Sequence, residues 1–157
     1  MMNPQVLLHV TLAEIGLFAF LWVFVELLNP TGTRINRAKI ASLLGVVCLL
    51  LAWVVGGHYY VDVYGLEVKP AIKASDAAWV HGIVMEVKEH VFLFLPILSA
   101  LAALLLYKYD KELLSQNDAR VTIVVIAGLI FLLGFSIAGM GAMIAGAYRF
   151  ALMAGVA

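Results

Sequence analysis

The chain holds one cysteine, four prolines and little charge: Asp, Glu, Lys and Arg make up 13% of its 157 residues. The single cysteine, Cys48, excludes an internal disulfide, and with it Cys-rich zinc or iron–sulfur sites and C-x-x-C-H haem attachment. Neither sign of charge is in excess, with 10 basic and 10 acidic residues, so nothing points to nucleic acid or to a polyanionic partner. No Walker A sequence, dinucleotide fingerprint or G-x-S-x-G is present, which argues against nucleotide-driven transport and serine hydrolysis. What the chain has in plenty is apolar surface. Apolar residues account for 64% of it and the mean hydropathy is +1.04. Soluble domains are roughly half apolar and a quarter charged, so a water-soluble enzyme is excluded first.

A bilayer span needs about 20 mostly apolar residues. Four stretches qualify, at about 6–28, 40–64, 77–107 and 121–150. The first ends at Asn29-Pro30-Thr31-Gly32, the second at Gly65, and Ser75 or Asp76 is placed to cap the third. The start, Met1 to Gln5, carries no Lys or Arg, and Glu14 interrupts the apolar run that follows. That run reads as a retained span rather than a secretory signal. Short connections make successive helices antiparallel neighbours. The expectation is an all-α, integral membrane, up-down four-helix bundle forming a single domain over 1–157. Six basic residues (Arg34, Arg37, Lys39, Lys108, Lys111, Arg120) follow spans one and three, against three (Lys69, Lys73, Arg149) on the other side. Both termini and the Val63–Asp76 loop are therefore expected on the outer, periplasmic or extracellular face. Trp79, Tyr59, Tyr60 and Tyr64 fit an aromatic belt there. A bacterial inner membrane is the expected location.

Ionisable groups inside spans are expensive and are functional candidates by default. At about 1.5 Å per residue from the cytoplasmic ends, His9, His58 and His90 fall at about 28, 27 and 26 Å, nearly one level. Glu86 and Glu89 lie within about a turn of it, and His81 about 13 Å further out. Counted from the outer end of span three, His81 takes the place of His90. Either way, histidines from three helices converge on the outer half. Asp62, four residues after His58, is placed to hold its Nδ1–H. Glu86 and His90 share a face at the same spacing. Glu26, at the cytoplasmic end, is expected to pair with Arg34 or Arg37. Glu14 lies about 140° around span one from His9, facing a neighbouring subunit rather than the site.

This pattern suits b-type haem, with His58 and His90 as the foremost ligands and His9 and His81 next. Gly56, Gly57, Gly139 and Gly141 would leave room for the macrocycle. The role would be electron transfer, possibly with a quinone or an outer-face electron carrier. A copper or iron ion held by His58, His90, His9, Glu86 and Glu89 is the alternative, in a membrane oxidase or metal carrier. A ferritin-like di-iron site is disfavoured, because no histidine has a glutamate three residues before it. The other alternative is a small proton- or ion-coupled transporter, or an accessory subunit, in which Glu14, Glu86, Lys88, Glu89 and His90 form a relay, with Asp62 beside it. Beyond the bilayer, a homo-oligomer or a larger membrane complex is the expected setting.

Overall fold

The computed structural model describes residues 3–115 and 117–155, and among them every regular element is helical. Helix α1 runs Pro4–Leu28 and α2 Gly32–Tyr59. A π-helical segment, Tyr60–Val68, leads without a break into α3, Lys69–Ala74. A second π-helical segment, Val80–Met85, opens α4, Glu86–Lys108, and α5 spans Asn117–Met153. Four helical stretches are long and apolar enough to cross a membrane: Pro4–Leu28, Gly32–Ala74, Val80–Lys108 and Asn117–Met153.

The ends follow from local chemistry. Asn3 caps α1 by accepting from the Gln5 amide at 2.9 Å, and Pro4 occupies the first turn, where its missing N–H costs nothing. Thr31 caps α2 by accepting from Arg34 N at 3.2 Å. The second span departs most from expectation. It continues through Gly65 for 43 residues, so the expected outer loop is mostly helix. The π turn explains how. A Cβ on Gly65 would meet the Tyr60 carbonyl at 3.2 Å, so glycine fits where the widened turn crowds the backbone five residues back. Pro70 then falls in the first turn of α3, where a proline is tolerated. Ser75 ends α3, its Oγ donating to the Ile72 carbonyl at 2.8 Å, and the same oxygen accepts from the Ala77 amide at 3.2 Å in the turn that leads to Val80, as expected of a cap.

Helix α1 packs against α2 and α5, and α4 packs against α5 and α2, which closes a four-membered ring of helices. The core along it is Leu17, Phe20, Val23 and Leu27 of α1 with Leu49, Leu95, Leu106, Ile123 and Ile130. Lipid tails are as apolar as these side chains, so close fit rather than burial from water favours this packing. Gly134 shows the fit: a Cβ there would stand 2.1 Å from Leu17 Cδ2. A second cluster joins the two π segments to the far half of α5 through Tyr64, Val68, Ile72, Val84, Met85 and Ile144. The outside is lined with large apolar side chains, among them Ile40, Val54, Phe94, Leu104 and Leu132. So extensive an exposed apolar surface suits lipid, not water.

Candidate histidine site at one end of the bundle

His9 fixes the register of three helices. Its Nδ1 lies 2.8 Å from the Ala52 carbonyl of α2. Its ring fills the space over Gly56, where a Cβ would come within 2.6 Å of it. It also meets the Phe92 ring of α4 edge-on, with centroids 6.1 Å apart. Gly56 and Phe92 are thus at the height of His9. His58 follows Gly56 by two residues, and His90 precedes Phe92 by two on a helix running the other way. Each therefore stands about 3 Å further out and about 200° around its helix from the face that touches His9. His58 and His90 accordingly share one height on adjacent helices and both turn out of the bundle. The His58 side chain is 67% exposed and His90 is exposed as well.

The sequence places the histidines by height. The packing now supplies their faces, and these separate them. His9 looks inward, His58 and His90 look outward, and His81 is buried further along the hairpin at 5% exposure. The five-residue ion site of His58, His90, His9, Glu86 and Glu89 is therefore not assembled. Among the described residues no group of three or more His, Cys, Asp or Glu side chains is placed to hold one metal ion. Gly56 is likewise no open slot, because His9 occupies it, whereas Gly57 and Gly139 face open space.

The hydrogen bonds matter more than the positions. His9 Nδ1 meets a backbone carbonyl, and His90 Nδ1 meets the Glu86 carbonyl at 2.6 Å. His58 Nδ1 is paired with the Asp62 carboxylate, as the i,i+4 spacing predicts. A carbonyl or carboxylate oxygen only accepts, so in all three rings Nδ1 is the donor, and the neutral tautomer that keeps this bond has its lone pair on Nε2. Among the described residues none of the three has a partner at Nε2. The Glu86 carboxylate does not hold His90; its backbone oxygen does.

His81 differs. Its Nδ1 is 3.0 Å from the Tyr64 hydroxyl, inside the protein, and each residue comes from a π-helical segment. Tyr64 is 1% exposed and Tyr60 stacks on it with centroids 5.3 Å apart. Sequence reading assigns Tyr64 to the interfacial belt and misses this pair. Its only signal is the hairpin itself, once helix is carried through Gly65. Lys88 also turns inward, its Cε 3.8 Å from where a Cβ on Gly141 would stand. Glu14 is exposed on the outside of α1, away from all four histidines.

At the opposite end, Glu26 is 5% exposed and gathers three side chains. Trp22 Nε1 donates to it at 2.8 Å, Arg34 Nε at 2.7 Å and Arg37 Nε at 2.7 Å. This ties α1 to the start of α2 and is structural. No family model matches the chain, and neither a curated protein nor a solved structure is similar to it.

Proposed function

We propose that this chain is a multi-pass membrane redox protein that carries b-type haem near the outer end of its bundle and passes electrons at that face. The observation that carries the reading is the state of the imidazoles: His9, His58 and His90, on three helices, each have Nδ1 held by an acceptor and Nε2 free. Metal-ligating histidines are oriented in this way, since the held Nδ1–H fixes the tautomer and raises the basicity of Nε2. Haem takes one or two imidazoles, whereas a bare ion takes three or four side chains meeting at a point. The donors present therefore fit haem better than copper or iron alone.

His58 and His90 are the two residues that would hold the haem, with Asp62 orienting His58 and the Glu86 carbonyl orienting His90. The exposed apolar side chains Val61, Leu93 and Phe94 nearby suit an apolar macrocycle. Bound haem would supply a one-electron couple, exchanged with a quinol or an outer-face carrier. His9, by packing on Gly56 and Phe92, holds α2 and α4 in register behind the pair. Both termini are proposed to lie outside, in a bacterial inner membrane. A second reading, a proton or ion relay, draws on Lys88 turning into the bundle.

His58→Ala and His90→Ala should each remove haem from purified protein, read as pigment per chain, while His81→Ala leaves most of it. Full haem content in both of the first two variants would overturn the assignment. Colourless, metal-free wild-type protein would favour the relay.

A further inference from the structure

The strongest feature that the proposed haem site leaves unused is Glu14. By helical rise it stands about 21 Å above Leu28, well inside a hydrocarbon core about 30 Å thick, and it is exposed on the outside of α1. An intramembrane carboxyl faces protein or water in almost every case, because lipid offers it no hydrogen bond. Here it borders an open groove of about 370 Å³ lined also by Thr11, Ile15, Phe18, Trp22 and Leu44. Thr11, Ile15, Phe18 and Trp22 are all exposed and are spaced four, three and four residues apart. Val25, three further on, is exposed too. That alternation is the a/d seam of a left-handed helix pair, presented to the outside of the bundle.

We propose that this α1 seam is the interface with a second copy of the chain, the two related by a twofold axis along the membrane normal. Copies in one membrane share an orientation, so a twofold interface must be self-complementary. The seam meets that condition. Thr11 lies one turn from Glu14 toward the outer end, and a carboxylic acid and a hydroxyl each donate and accept. Glu14 of one copy finds the Thr11 hydroxyl, or the Glu14 carboxyl, of the other. Polar side chains and close packing are what associate helices in lipid. The aromatic ridge of Phe131 and Phe135 on α5, with Phe131 centred 6.1 Å from Phe18, flanks the seam and widens the contact. The inference is independent of haem.

The test uses the full chain in membranes. Native mass spectrometry of the unaltered protein should show a dimer. In a Cys48→Ala background, Ile15→Cys and Phe18→Cys should each give a covalent dimer on mild oxidation, and the exposed α4 controls Ile97→Cys and Leu104→Cys should not. Adding Glu14→Leu should lower the cross-linking yield roughly tenfold, while Glu14→Gln, which still hydrogen-bonds, should keep most of it. A monomer by mass, equal cross-linking at seam and control positions, or a yield unmoved by Glu14→Leu would each overturn the proposal. So would a mass showing an unrelated protein on the seam.

Discussion

Two carboxylates at the end of the bundle away from the histidines illustrate how differently one group can behave by its surroundings. Glu26 is buried and charge-paired twice, so removing it strands two guanidiniums. Glu26→Ala should lower stability by roughly 3 kcal/mol, the low end for breaking a buried pair, because Arg34 and Arg37 both keep access to water. Unfolding in mixed micelles measures it. Asp110 lies outside the spans and pairs with Lys39. The hydrogen bond from Lys39 is the main reason its carboxyl is held below the ordinary aspartate value. A depressed pKa gives stability that is full above the unfolded value of about 4 and is lost as pH falls through the folded one. A thermal midpoint followed downward from pH 5 should fall, and Asp110→Asn should flatten that part of the curve. Both arginine partners of Glu26 and the His58–Asp62 pair are legible in the sequence, since each needs only short spacing. The Tyr64–His81 pair is not, because the two residues meet across a hairpin whose helices must first be extended.

The helices show where periodicity informs and where it stops. Four apolar runs give four spans, and the ends away from the histidines are marked well enough to put His9, His58 and His90 within about one turn of each other in height. Their faces are another matter. A histidine's direction depends on which neighbour its helix packs against, and these helices are apolar all round, so no hydrophobic stripe marks the inside. The glycines have the same ambiguity. Gly134 and Gly139 look alike in sequence, yet Leu17 packs into the first and nothing stands over the second. Gly134→Ala should therefore cost about 1–3 kcal/mol by forcing Leu17 aside. Gly139→Ala should cost nothing, or stabilise the chain by up to about 1 kcal/mol through helix propensity. Equal losses at both positions in micelle unfolding would contradict the packing described. The π segments were equally hidden: Gly65 reads as a stop, and only the crowding against the Tyr60 carbonyl reveals its use within a helix.

At the scale of the whole molecule, a ring of four helices holds apolar packing along its length and concentrates its histidines toward one end. The end away from the histidines is locked by Glu26, Arg34 and Arg37, and by Lys39 with Asp110. The histidine end carries the two π segments, a kind of turn that recurs at functional sites. A rigid base with its polar groups gathered at the far end suits a cofactor site near one membrane face. The central claim is that the free Nε2 atoms of His58 and His90 ligate haem. The most direct test is the visible spectrum of the detergent-purified chain, oxidised and then reduced with dithionite, with iron measured on the same sample. The account predicts a Soret band, a sharp reduced α-band and stoichiometric iron, all lost in His58→Ala and in His90→Ala. A featureless spectrum in both oxidation states, from folded protein expressed with ample haem, would contradict it.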